Sequence, residues 1–277
     1  MFSLFLAIVC GALTSIVMRL STSRAVNING MVAFNYLACL ICALALSGTD
    51  SLLSATTGFS TALSLGCLNG LLYVTGMLLM QQNMRDSGVI LTTAFAKLGV
   101  LIPIFFAAFV FQEIPTPLQI VGVILSIIGI VMIKANPSDR VRFRFSLITL
   151  LLVTGGVSTV LKIYTEVGIA SLSNVFLLIA FAVAFFIALA LAWWKKERLG
   201  VTEFMWGMML GLPNFFTSRF ILDALEAIPA VIVYPTRGVA TILLVTVVGI
   251  ALFKEYLNTR QWVAFATILI ALSFLNI

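Results

Sequence analysis

Ten runs of roughly 17 to 25 mostly apolar residues follow one another along this chain, each closed by a short polar break, and a run of that length as a helix matches the hydrocarbon thickness of a bilayer. The runs fall at about 2–20, 31–47, 58–81, 87–111, 118–133, 146–168, 174–194, 203–225, 229–253 and 258–276. With 277 residues, 62% of them hydrophobic and 9% charged, and a mean hydropathy of +1.18, the sequence leaves no room for a soluble domain. The expected class is an all-α integral membrane protein with ten transmembrane helices. The first run has neither a basic leader nor a small-residue cleavage site, so it is expected to be a retained span.

The two halves repeat each other. FQEIPTPLQIVGVIL (111–125) aligns with FKEYLNTRQWVAFAT (253–267) at an offset of 142, pairing Phe111 with Phe253, Glu113 with Glu255 and Gln119 with Gln261. Gly66 and Gly70 in the third run match Gly207 and Gly211 in the eighth at an offset of 141, and GALTS (11–15) resembles GGVST (155–159). These matches predict a first five-helix unit over 1–135, a charged cytoplasmic linker over 136–145, and a second unit over 146–277. An odd number of spans per unit inverts the second copy relative to the first. The two GxxxG pairs are expected to pack helices within one chain, giving a monomer, with dimerisation through them as the alternative.

Charge placement gives the orientation. Twelve of the sixteen basic residues lie in the connections that follow odd-numbered runs: Arg19, Arg24, Arg85, Lys134, Arg140, Arg142, Arg144, Lys195, Lys196, Arg198, Lys254 and Arg260. The positive-inside rule then puts those connections in the cytoplasm and both termini outside, in a multi-pass protein of the cell membrane. The net charge of +6 is read as topology and not as affinity for nucleic acid.

The five-plus-five layout, the glutamates in QEIPTPLQIVGVILSIIGIVMI and KEYLNTRQWVAFATILIALSFL, and the run NMRDSGVILTTAFAKLGVLIPIFFAAFVFQE resemble the EamA-type members of the drug/metabolite transporter superfamily over the whole chain. The resemblance implies a carrier of small metabolites, often an exporter, with a cavity between the repeats. It also implies both termini inside, whereas the charges place them outside.

Candidate site residues are the charges that a membrane should exclude, since a basic residue at a helix centre costs about 2.5 to 3.5 kcal/mol on insertion scales. Four remain after the loop set is removed: Lys97, Lys162, Arg219 and Arg237. Lys162 and Arg219 have Glu166 and Asp223 four residues on, and each can pair along its own helix. Lys97 and Arg237 have no carboxylate three or four residues away and are near repeat mates, so each half would give one cation to a substrate site. The alternative is that they bond backbone carbonyls or an end-of-span acid such as Asp223. Every acid falls in a connection or at a span end, and that imbalance favours an anionic or zwitterionic, carboxylate-bearing substrate.

Pro103, Pro213 and Pro235 are expected to free the carbonyls of Gly99, Met209 and Val231, which must then face protein or water. VIVYPTRG (231–238) reads as a bent helix aiming Tyr234, Thr236 and Arg237 into an aqueous pocket. Asn69, Tyr73 and Asn214 lie at similar depth and either complete that site, with Arg219, or bond helix to helix beside the glycine faces. Cys10, Cys39, Cys42 and Cys67 read as small apolar residues; the chain has no histidine, and neither cofactor nor metal is expected. The function expected is secondary transport of such a metabolite by alternating access, in the export direction by analogy. A flippase for a lipid-linked anionic head group is the alternative. An intramembrane enzyme fits less well, because no nucleophile and base pair is placed at the midplane.

Overall fold

The computed structural model describes residues 1–22, 27–47, 58–87, 95–96, 98–134, 145–197, 199–253 and 259–275. Lys97, Lys254, Glu255 and the connection over 136–144 lie outside them. The described elements are helical, with no strand among the described residues: α1 (Phe2–Thr22), α2 (Ile28–Ser47), α3 (Phe59–Ser87), α4 (Leu101–Val110), α5 (Pro117–Lys134), α6 (Phe145–Val167), α7 (Ser173–Trp194), α8 (Val201–Ala227), α9 (Ala230–Phe253) and α10 (Thr259–Leu275), with one 3-10 turn at Ala170–Leu172. Among the described residues four stretches are long and apolar enough to cross a membrane: Ile28–Ser47, Phe59–Met80, Phe145–Val167 and Ala170–Trp194. At 27 residues α8 is longer still, but Glu203, Pro213, Asn214, Arg219, Asp223 and Glu226 make it too polar to join them.

The helices gather into two compact units, each drawing on both halves of the sequence. The first comprises Met1–Val74 and Val160–Glu226; the second comprises Thr75–Thr159 and Ala227–Ile277. In the first, α2 lies along α7. In the second, α5 lies along α10, and α9 touches α4, α5 and α10.

Glycine sets the closeness of packing in the first unit. Lipid tails are as apolar as leucine, so helices in a membrane are held by van der Waals fit, which small residues permit. A methyl built on Gly70 of α3 would come within 2.5 Å of the Ala180 carbonyl oxygen of α7, and one on Gly66 within 3.1 Å of the Phe176 carbonyl. On α8, a methyl at Gly211 would come within 2.5 Å of Ala38 Cβ of α2, and one at Gly207 within 2.7 Å of the Met31 carbonyl. Both GxxxG faces read from the sequence are thus consumed inside the chain.

Helix starts are fixed by side chains. At α5 the Thr116 hydroxyl accepts from Gln119 N–H while the Gln119 side chain accepts from Thr116 N–H, a reciprocal box with Pro117 at the first helical position. At α8, Glu203 accepts from Gly200 N–H at 3.0 Å and its other oxygen accepts from Asn27 N–H, at the start of α2, at 3.2 Å. One carboxylate therefore serves two helix N-termini, where the backbone leaves N–H groups without intrahelical acceptors.

The expectation for Pro103 is corrected. The Gly99 carbonyl does not stand open, because Ile102 N–H donates to it at 3.1 Å. Gly99 and Val100 form a turn from which α4 starts at Leu101, which places Pro103 in a first turn, where its missing N–H costs little.

Gly70→Ala and Gly211→Ala are expected to lower the unfolding temperature of the detergent-solubilised protein. Gly238→Ala, where an added methyl meets nothing within 4 Å, should match or exceed wild type, since alanine is favoured over glycine in a helix by about 1 kcal/mol. Thermal unfolding of the three variants checks this.

Candidate functional site

Within the first unit the uncharged polar residues of α2, α3 and α8 come together. Tyr73 of α3 and Ser218 of α8 share a hydrogen bond of 2.9 Å between hydroxyls. One turn before Ser218, the Asn214 side-chain amide donates to Oδ1 of Asn35 on α2 at 3.3 Å, and the Cys39 thiol donates to the Gly211 backbone carbonyl at 3.3 Å. Aromatic rings back this layer: Tyr73 stacks on Phe181 of α7 with centroids 5.3 Å apart, Tyr36 lies 6.4 Å from both, and Phe215 is 5.8 Å from Phe181.

Asn69 lies one turn before Tyr73 on the same face of α3 and is 0% exposed. Neither its amide nitrogen nor its carbonyl oxygen has a hydrogen-bond partner among the described residues. The Asn35 amide nitrogen is unmatched in the same way. Leaving a buried polar atom unsatisfied costs about 1 to 3 kcal/mol, so helix-to-helix bonding among the described residues explains Asn35 only in part and Asn69 not at all.

The charged candidates of this unit are paired along their helices. Arg219 Nη1 lies 2.9 Å from Asp223 Oδ1, an ion pair in which the N–H is not aimed at the carboxylate. Lys162, 1% exposed, pairs with Glu166. Lys162 is thus accommodated by pairing, from a buried position, with a carboxylate that is itself exposed one turn further along α6.

In the second unit the site residues of VIVYPTRG sit in the first two turns of α9. Tyr234 is buried and its hydroxyl donates to the Ser158 carbonyl of α6, so its proton is committed to the backbone. Thr236 is buried with its hydroxyl unmatched among the described residues, and Arg237 is half-buried on the next position. Lys97, the other cation expected here, lies outside the described residues.

The start of α9 is held by Glu113, one of the two motif glutamates. Gln112 takes a left-handed φ of 55°, which turns the chain after α4, and Glu113 Oε2 accepts from Ala230 N–H at 2.8 Å. A carboxylate at the positive end of a helix dipole satisfies an open N–H and adds favourable charge. The glutamate read from the repeat therefore positions the helix that carries Tyr234, Thr236 and Arg237.

Of the residues singled out from the sequence, Asn69, Tyr73 and Asn214 share the polar layer of the first unit, with Arg219 next to Ser218 on α8. Tyr234, Thr236 and Arg237 belong to the second unit. The sequence reading missed Asn35, Tyr36 and Phe181. Asn35 had a signal, as an amide inside an apolar run; Tyr36 and Phe181 had none among 5 tyrosines and 22 phenylalanines.

Apolar helices of spanning length around buried polar side chains define a multi-pass α-helical membrane protein. Residues 1–135 match the model of the EamA-like transporter family, a family of membrane transporters, in agreement with an EamA-type member of the drug/metabolite transporter superfamily. An uncharacterised protein of Haemophilus influenzae is 24% identical over 272 residues, covering 95% of this chain and 93% of its own length. A solved crystal structure superposes with a TM-score of 0.71 over 99% of this chain and 94% of its own, at 14% identity, which shows a shared fold.

Glu113→Ala is expected to cost about 0.5 to 2 kcal/mol, the range for losing a helix N-cap, and Glu113→Gln less, because the amide still accepts. The order wild type, then Gln, then Ala in unfolding temperature checks the assignment.

Proposed function

We propose that the protein is a secondary carrier that moves a small anionic or zwitterionic, carboxylate-bearing metabolite across the cell membrane by alternating access, in the export direction. The family match supports the carrier class. The observation that carries the binding role is Asn69, fully buried in an apolar helix with both polar atoms unmatched among the described residues. An asparagine held in that state costs stability unless a solute completes its hydrogen bonds.

The anionic preference rests on the sequence. Within the apolar runs Lys162 and Arg219 have carboxylates on their own helices, and Lys97 and Arg237 add two further positive charges. Hydrogen bonding is assigned to Asn69, Tyr73 and Asn214, and charge selection to Lys97 and Arg237, with Thr236 an added donor. The proposal includes the ten-helix inverted repeat, with units over 1–135 and 146–277 and a linker over 136–145. It is supported by mated glycine faces that pack in reciprocal fashion, α3 on α7 and α8 on α2. It also includes a monomer with both termini outside the cytoplasm, following the basic connections.

The test is thermal stabilisation of the purified protein by anionic, zwitterionic and cationic metabolites, on wild type, Lys97→Ala, Arg237→Ala and Asn69→Leu. Carboxylate-bearing compounds should raise the unfolding temperature of wild type and lose that effect in all three variants. Asn69→Leu should keep or exceed the unliganded stability of wild type, since it removes an unmatched polar group. Stabilisation by cations, or unchanged responses in Lys97→Ala and Arg237→Ala, would overturn the anionic reading; a large loss of unliganded stability in Asn69→Leu would make that residue structural.

A further inference from the structure

The end of α7 carries a groove that the transport reading does not use. Phe186, Leu189, Ala190 and Trp193 follow one another at helical spacing along its last turns, and with Trp194, Lys196, Glu197 and Leu199 they line a cavity of about 970 Å³. Trp193 and Trp194 are 84% and 83% exposed, and Lys195 and Lys196 beyond them are exposed as well. Because Ala170–Trp194 is long and apolar enough to span a bilayer, this end lies at a membrane surface, where tryptophan rings settle at headgroup depth.

The helix ends here in an unusual way. Glu197 N–H donates to the Ala192 carbonyl and Lys196 N–H to the Trp193 carbonyl, the paired bonds of a Schellman cap, with Lys196 at a left-handed φ of 51°. Glycine fills that position without strain, whereas a lysine there carries a steric penalty. The lysine is thus kept against the backbone's preference, which points to use of its charge. The one acid among the lining residues is engaged at one oxygen: Glu197 Oε1 accepts from the Asn29 side chain of α2.

We propose that this groove binds an anionic phospholipid, with an acyl chain along Phe186, Leu189, Ala190 and Trp193 and the headgroup phosphate on Lys195 and Lys196. An apolar trough that ends at Lys196, with Lys195 exposed beside it in sequence, matches a molecule with an apolar tail and an anionic head, and neither feature alone would select it. Lysines at a membrane surface attract anionic lipid with a strength equivalent to roughly fivefold in affinity each.

The test uses delipidated protein in detergent, titrated with phosphatidylglycerol, phosphatidylcholine or soluble glycerol phosphate, and read by unfolding temperature and by lipid-bound species in native mass spectrometry. Phosphatidylglycerol should stabilise wild type and remain bound; phosphatidylcholine and glycerol phosphate should do neither. Lys195→Gln with Lys196→Gly should weaken phosphatidylglycerol binding roughly 25-fold. Lys196→Gly alone should keep or raise the lipid-free unfolding temperature, because it relieves the left-handed strain, and still lose part of the lipid effect. Trp193→Ala should weaken binding through the tail. Equal stabilisation by phosphatidylcholine, an effect of glycerol phosphate alone, or phosphatidylglycerol binding that survives both the lysine and the tryptophan changes would each overturn the proposal.

Discussion

Close approach of backbones across glycine holds the first unit together. In a soluble protein, burial of apolar surface would bring α2, α3, α7 and α8 into contact whatever their sequence detail; between helices in lipid that drive is absent, and fit takes its place. Gly66 and Gly70 bring α3 onto carbonyls of α7, and Gly207 and Gly211 bring α8 onto the backbone of α2. The short hydroxyl of Ser218 on α8 reaches the Tyr73 hydroxyl of α3 within the same unit.

Much of the fold was legible because membrane helices state their limits in plain chemistry. The apolar runs predicted helix ends to within a few residues at most elements, although α3 continues through the polar stretch after Gln81 to Ser87, six residues past the expected end. The intrahelical pairs at Lys162 and Arg219 were also legible, spacing alone deciding them. The start of α4 was not. Turn formation at Gly99 and Val100 falls within an unbroken apolar run, where periodicity carries no mark of a helix boundary.

The candidate site was legible in part for a similar reason. Buried amides and hydroxyls announce themselves against an apolar background, which is how Asn69, Tyr73 and Asn214 were found. The aromatic backing by Tyr36 and Phe181 was hidden, because an aromatic ring in a membrane helix is the background. The compact units were hidden too, since each mixes segments from both halves, and no local pattern states which distant helix a face will meet. The role of Glu113 became clear only with the helix it caps, 117 residues away.

Glu203 ties the starts of two helices to a single side chain. The N–H groups of Asn27 and Gly200 draw on opposite oxygens of one carboxylate, which is itself buried. Neither helix can retreat from the other without giving up its acceptor or taking the glutamate with it. These two chain segments, 176 residues apart in sequence at their bonded ends, therefore behave mechanically as one jointed strut, and any rearrangement in this unit has its stiff point there.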